Sequence, residues 1–92
     1  MIRSFVCKAT EELWEKERSR KAGAIARVAL RRLIQLNAAA SLDDLRAPPS
    51  NHLESLIGKR KGQHSIRINT QYRICFSWTD NGPSNVEIVD YH

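Results

Sequence analysis

The stretch QHSIRINTQYRICFSW, residues 63–78, limits the fold more than any other part of this 92-residue chain. Its apolar residues alternate with polar ones, which is typical of two strands that each bury one face. If residues 69–71 form a three-residue loop, Ile66 pairs with Ile74 and all the apolar residues share one face. A two-residue loop would place Ile66 opposite Arg73 and would mix the two faces. The pattern therefore predicts an antiparallel hairpin closed by the longer loop.

The same register places Arg67 directly opposite Arg73 on the exposed face of the hairpin. Like charges that face each other across two strands destabilise a sheet by up to about 1 kcal/mol. Either the two side chains splay apart into solvent, or they bind an anion between them, most simply a phosphate group. This sheet face is therefore the candidate functional site.

Periodicity and capping signals predict the N-terminal elements. IRSFVC, residues 2–7, alternates as a short first strand does, and Thr10 is a candidate N-cap for a helix that runs to about Ser19. A second helix begins at about Ala22. Its apolar stripe recurs at helical spacing and consists of Ile25, Val28, Ala29, Leu33 and Leu36. Basic residues fall away from this stripe and are expected on an exposed face: Arg20, Arg27 and Arg31.

SLDDLRAPPSN, residues 41–51, interrupts the helical pattern with two prolines. Beyond it the period changes to two, and the candidate strands are HLESLIG, QHSIRI, QYRICFSW and NVEIVDYH, the last two joined by a turn at residues 80–83. The predicted order is β-α-α-β-β-β-β, an α+β fold in which two N-terminal helices pack on one antiparallel sheet. The length predicts a single domain, residues 1–92.

Charge indicates the class of partner. The net charge is +5, and two segments, residues 18–32 and 59–73, contain basic residues but no acid. Each could be a solvated face, but two such runs in a short chain favour a polyanionic partner. The chain has no apolar run of membrane-spanning length, no signal peptide and two cysteines expected to be reduced, so we expect a cytoplasmic protein. No His or Cys cluster has metal-site spacing, so neither a metal nor another cofactor is predicted.

The final stretch VEIVDYH places Asp90, Tyr91 and His92 directly after an apolar strand. Alone, His92 could be a terminal residue without a role, and Tyr91 an edge-packing aromatic. Beside two arginines they form a set suited to RNA cleavage, in which the 2′-OH of the RNA attacks its adjacent phosphate. Histidine can move either proton, arginine can stabilise the phosphate charge, and tyrosine can stack on a base or share in proton transfer.

With these residues identified, the sequence resembles the HigB-type toxins of bacterial toxin–antitoxin pairs, a branch of the RelE/ParE superfamily. The resemblance runs from MIRSF through SLDDLRAPP to the block GKRKGQHSIRINTQYRICFSW and the final VEIVDYH. It implies the RelE-like fold and a ribosome-dependent mRNA endonuclease (mRNA interferase) that cleaves A-site codons and inhibits translation. It also implies a HigA-like helix-turn-helix antitoxin, the 70S ribosome with mRNA as target, and contact with operator DNA only through the antitoxin.

The resemblance also implies roles for individual residues. A catalytic group would stabilise the scissile phosphate, stack on a base and transfer protons, and it comprises Arg73, Asp90, Tyr91 and His92. RNA or phosphate would be held by Arg60, Arg67, Lys59 and Lys61. The ribosome would be contacted by Arg20, Arg27 and Arg31 on the basic helices.

Two positions depart from the family pattern. Ile57 stands where relatives often have a lysine, and Lys59 or Lys61 could replace that charge. Glu54 stands where some relatives place a catalytic histidine, and His52 lies two residues earlier. Glu54 could act as a general base if it were buried, whereas a solvated glutamate is the alternative.

Three other functions stay open. A gyrase-inhibiting toxin of the ParE branch would share the fold but would not need the acid–base group at the end of the chain. A non-catalytic RNA-binding module would need Arg67 and Arg73 but not His92. A protein that acts only through an antitoxin-like partner would leave the facing arginines unexplained.

Overall fold

The computed structural model describes residues 1–16 and 25–91, and this part of the chain forms two α-helices and a four-stranded sheet. The helices are α1 (Lys8–Lys16) and α2 (Ala26–Ala38), and the strands are β1 (Glu54–Ser55), β2 (Gln63–Arg67), β3 (Tyr72–Thr79) and β4 (Gly82–Asp90). All neighbouring strands are antiparallel, in the order β1-β2-β3-β4. The predicted α+β fold, with two helices against one antiparallel sheet, is confirmed.

The hairpin of β2 and β3 has the predicted register. Ile66 pairs with Ile74, and Arg67 pairs with Arg73. Asn69 closes the loop between the strands, because its side-chain oxygen accepts hydrogen bonds of 2.8 Å from two backbone N–H groups at the end of the loop. This local bonding stabilises a three-residue loop and therefore supports the register that buries the isoleucines.

The core lies between the helices and one face of the sheet. Strands β2, β3 and β4 contribute residues to it, and burial of a large apolar side chain contributes about 1.5–3 kcal/mol. The fully buried apolar residues include Leu13, Ala29, Leu33, Leu36, Ile66, Ile74, Phe76 and Val86. Arg27 and Arg31 are exposed on α2, as predicted. Arg20 and the predicted helix limits at Ser19 and Ala22 lie outside the described residues.

The N-terminal part differs from the prediction in two details. IRSFVC forms only a single parallel bridge, Phe5 with Val86, because α1 already begins at Lys8 and ends the extended segment. Thr10 is not an N-cap, because it lies inside α1 and is buried against the sheet. Its hydroxyl accepts a 3.0 Å hydrogen bond from the backbone N–H of Ile88, which attaches α1 to β4.

The predicted strand HLESLIG is reduced to the two residues of β1. Glu54 pairs with Ser65 and Ser55 pairs with His64. Gly58 then adopts a positive φ of 67° and starts a 3-10 turn, which ends the extended pairing. Within the described residues, no helix combines the length and apolar character that crossing a membrane requires.

Candidate functional site

An open groove lies on the exposed face of the sheet, where the end of β2 and the start of β3 meet the end of β4. Its volume is about 380 Å³. The residues that line it are His52, Glu54, Arg67, Asn69, Thr70, Arg73 and Tyr91. The groove therefore brings together two predicted arginines and the predicted tyrosine.

Arg73 is held firmly in this groove. Its side chain is 12% exposed, and its Nε donates a 2.7 Å hydrogen bond to the Ser65 hydroxyl. Its Nη2 donates to the backbone carbonyl of His52 and lies 4.0 Å from the Glu54 carboxylate. Within the described residues, nothing accepts a hydrogen bond from Nη1. The guanidinium is thus fixed in orientation and retains a donor for a bound anion.

Arg67 faces Arg73 across the hairpin and is half-buried. Among the described side chains, none pairs with its guanidinium. Its backbone carbonyl accepts a 3.0 Å hydrogen bond from Nε of Arg32 in α2. Two guanidinium groups consequently border the same groove, and only one of them is neutralised in part, by Glu54. Such a pair favours an anion with several oxygens, such as a phosphate.

Tyr91 follows β4 and presents a neutral phenol to the groove. Its backbone N–H donates a 2.7 Å hydrogen bond to the carbonyl of Gln71, in the loop between β2 and β3. Tyr91 as a whole is 45% exposed, and its hydroxyl lies 3.6 Å from Cys75 Sγ. Burial and the contact with Cys75 raise the pKa of the Tyr91 phenol above its ordinary value. A phenol is protonated at neutral pH even without this shift, and the exposed side chain can stack on a base.

Arg60, predicted to hold RNA, instead contacts side chains of the strands β2 and β4. Its Nη1 forms a 2.9 Å ion pair with Glu87 and a 3.0 Å hydrogen bond with the Gln63 side chain. The bond to Glu87 raises the pKa of Arg60. Arg60 does not line the groove, so contact with RNA would compete with this ion pair. Lys59 and Lys61 flank it and are exposed.

Asp90 lies on the other face of the sheet from Tyr91. It pairs with Tyr72, which packs against the core, and its carboxylate accepts a 3.2 Å hydrogen bond from the Gln71 side chain. Because successive side chains of a strand alternate, Asp90 and Tyr91 project to opposite faces. Asp90 does not line the groove, and His92 lies outside the described residues. The catalytic roles assigned to both stay predictions.

The groove also contains residues that were not among the predicted site residues. Asn69 and Thr70 belong to the hairpin loop, so the register itself could have identified them. His52 follows the 3-10 turn Pro49–Asn51 and adopts a left-handed backbone with a φ of 44°. Its place beside Arg73 depends on the path of the proline-rich segment, for which the sequence carries no periodic signal.

This arrangement can bind a phosphate group and move protons beside it. The groove offers two guanidiniums, a phenol, an imidazole and a carboxylate, which are the group types that acid–base cleavage of a phosphodiester uses. In residues 1–16 and 25–91, no group of three or more His, Cys, Asp or Glu side chains is placed to hold a metal ion.

Comparisons with known proteins identify the family of this chain. A family model described as the RelE-like toxin of the type II toxin–antitoxin system HigB matches residues 3–92. Toxin HigB-1 of Vibrio cholerae serotype O1 is 39% identical over 82 residues, which cover 87% of this chain and 86% of that protein. A protein of Haemophilus influenzae, named only as uncharacterized, is 40% identical over 60 residues, 65% of this chain and 59% of its own length. The chain therefore belongs to the HigB-like family of RelE-like toxins from type II toxin–antitoxin systems.

Proposed function

We propose that this toxin is a ribosome-dependent endoribonuclease that cleaves mRNA codons in the A site and thereby inhibits translation. The observation that carries the proposal is the pairing of Arg67 with Arg73 at a groove that also contains the Tyr91 phenol. Facing cations destabilise a sheet unless an anion lies between them. The phosphate of a bound RNA is the anion that this geometry fits best.

In the proposed reaction, the 2′-oxygen of the RNA attacks the adjacent phosphorus and the bond to the 5′-oxygen breaks. Arg73 stabilises the charge that develops on the phosphate oxygens, because its guanidinium is held in place before the RNA arrives. Arg67 binds the same phosphate or its neighbour from the opposite strand. Glu54, 4.0 Å from Arg73, moves away or exchanges its partner when the phosphate enters.

Two proton transfers complete this reaction. A base accepts the 2′-proton, and an acid protonates the leaving 5′-oxygen. His52 lines the groove and is a candidate for the base. Glu54 also lines it, but its side chain is 58% exposed and so lacks the burial that this role would need. Tyr91, whose phenol carries its proton at neutral pH, can donate a hydrogen bond to the leaving oxygen or stack on a base. His92 remains the predicted proton-transfer residue at the end of the chain.

Membership in a type II family implies an antitoxin partner. We propose a HigA-like helix-turn-helix antitoxin, with operator DNA contacted only through that protein. We also propose that the exposed arginines of α2, Arg27 and Arg31, contact the ribosome together with Arg20 of the preceding segment. Their charge suits ribosomal RNA, which is a dense polyanion.

A purified translation reaction with one defined mRNA tests the proposal. Wild-type protein, Arg73→Ala and a variant lacking His92 are compared with and without 70S ribosomes, and the cleavage ends are mapped. Cleavage that needs ribosomes and is lost in Arg73→Ala supports a ribosome-dependent nuclease, and loss in the truncated variant supports His92. Intact mRNA at toxin concentrations that still arrest growth would contradict it and would direct attention to gyrase, assayed by DNA supercoiling.

A further inference from the structure

Arg32 is a buried cation that the proposed reaction does not use. It belongs to α2, but unlike the exposed Arg27 and Arg31 it is only 9% exposed and turns toward the sheet. Its neighbours along the buried side of the helix are the fully buried Ala29, Leu33 and Leu36. An arginine in such a position is unusual, because arginine is rarely buried unless it is paired.

Within residues 1–16 and 25–91, the hydrogen bonds of the Arg32 side chain go to neutral oxygens. Its Nε donates a 3.0 Å hydrogen bond to the backbone carbonyl of Arg67, and its Nη2 donates a 3.4 Å hydrogen bond to the Ser50 hydroxyl. In the part of the chain that the structure describes, no carboxylate lies within salt-bridge distance of it. Burial, with the adjacent charge of Arg31, lowers the pKa of Arg32. Its positive charge therefore lacks a protein counterion among the described residues, which opposes folding.

The two acceptors of Arg32 lie in the two chain segments that border the groove. Arg67 lines the groove directly, and Ser50 lies two residues before His52, which lines it from the other side. Arg73 joins the same two walls from within, since it binds Ser65 in β2 and the carbonyl of His52. Arg32 thus connects from behind the elements that Arg73 connects at the front.

We propose that Arg32 is a positioning residue, which sets the separation of the two groove walls and adds, behind the RNA phosphate, a positive charge that no described carboxylate neutralises. This inference rests on the proposed function, because it assigns Arg32 to the same groove. Because Arg32 is buried, water screens its charge less, and the charge attracts a phosphate that enters the groove. The charge of Arg32 therefore increases the affinity for RNA, and its two hydrogen bonds fix the positions of the residues that border the groove.

Three variants separate these two contributions. Arg32→Gln keeps an amide donor for the Arg67 carbonyl but removes the charge. Arg32→Lys keeps the charge but loses the fork that reaches both walls. Arg32→Met removes both and fills a similar space, and replacement of a buried charge by an apolar side chain is often neutral or stabilising. Arg3→Gln is the matched control, because Arg3 is an exposed arginine beside Pro83, at the end of β4 remote from Tyr91.

Two readouts are measured for each protein, with thermal unfolding alongside. The first is binding of a short RNA with a 2′-deoxy nucleotide at the scissile position, followed by fluorescence anisotropy at several salt concentrations. The second is kcat and KM for mRNA cleavage in the ribosome reaction. We expect Arg32→Gln and Arg32→Met to weaken RNA binding by about tenfold with a shallower salt dependence. We expect Arg32→Lys to bind within about twofold of wild type but to lose about tenfold in kcat.

Two results would contradict this inference. If Arg32→Met melts like wild type and binds RNA as tightly as Arg3→Gln does, the inference is overturned. Equal losses of binding in Arg32→Lys and Arg32→Gln would also overturn it, because charge would then have no separate effect. The binding assay does not need cleavage, so a wild-type protein that fails to cut mRNA would refute the proposed function while leaving the role of Arg32 to be decided by anisotropy.

Discussion

At the scale of single residues, Arg73 organises the groove. Its Nε and Nη2 bind oxygens on β2 and on the segment before β1, so the guanidinium joins the two walls and is orientated before any ligand binds. Such preorganisation is the usual source of electrostatic stabilisation in enzymes. Arg60 contrasts with it, because its strongest partner is Glu87 rather than an open groove.

Arg73→Lys is the informative substitution at this position. Lysine keeps the charge but lacks the planar fork, so it loses the simultaneous contacts with Ser65 and His52. We expect kcat for mRNA cleavage to fall by about 100-fold, with a smaller change in KM. Single-turnover cleavage on ribosomes measures the effect, and circular dichroism with a thermal melt controls for folding. An unchanged kcat in folded Arg73→Lys would remove Arg73 from the proposed mechanism.

The ion pair between Arg60 and Glu87 is expected to stabilise the sheet. Both side chains are partly buried, at 34% and 25% exposed, so solvent screens the pair only in part. A double-mutant cycle with Arg60→Met and Glu87→Gln should give a coupling free energy of about 1 kcal/mol in urea unfolding. A coupling free energy of zero would contradict this expectation. If Arg60→Met also lost tenfold or more in RNA affinity, the result would support the RNA-binding role predicted from the sequence.

At the scale of elements, the segment between α2 and β1 determines where His52 lies. A 3-10 turn at Leu42–Arg46 begins this segment, and Asp44 caps it. The Asp44 carboxylate accepts hydrogen bonds from the backbone N–H groups of Ala40, at 2.9 Å, and Ser41, at 3.1 Å. These bonds lower the pKa of Asp44 below its ordinary value of 3.8, because they favour the charged form.

The cap should make stability depend on acid pH in one direction. Since the pKa of Asp44 is lower in the folded state than in the unfolded state, the carboxylate stabilises the fold above the unfolded pKa of about 3.9. The stabilisation is lost as the pH falls through the folded pKa. Asp44→Asn should therefore melt below wild type at neutral pH, and the difference should shrink toward pH of about 2. A difference in melting temperature that is constant across this range would contradict the assignment.

At the scale of the whole molecule, the two acid-free segments lie on separate features of the fold. The first segment supplies the exposed arginines of α2. The second supplies the two arginines of the groove, with Lys59 in the Gly58–Arg60 turn and Lys61 directly after it. A net charge of +5 in so small a protein favours fast association with a polyanion at low salt. Two basic features also allow one to bind the ribosome while the other binds mRNA.

Charge reversal on α2 tests this division of roles. The double variant Arg27→Glu, Arg31→Glu should weaken ribosome binding by about tenfold or more, because both side chains are exposed and a polyanion would be repelled. Binding of a short RNA in the groove should change much less. Ribosome co-sedimentation and RNA anisotropy measure the two effects separately. Parallel losses in both assays would show that the two features do not act independently.

The sequence by itself determined the hairpin and, with it, the pairing of Arg67 with Arg73. Period-two alternation leaves one register that buries Ile66 with Ile74, and a one-residue slip would expose every apolar side chain of a strand. The exposure of Arg27 and Arg31 followed in the same way from helical spacing. These features depend on local patterns, which a single segment of chain carries.

Only the tertiary structure decided which distant residues meet. Thr10 binds the backbone of Ile88 instead of capping a helix, and Arg32 is buried behind the groove instead of joining the exposed basic face. His52 reaches Arg73 through an irregular segment. Each of these contacts is made between segments far apart in sequence, where neither periodicity nor capping preference acts, and packing of the helices on the sheet selects the partner.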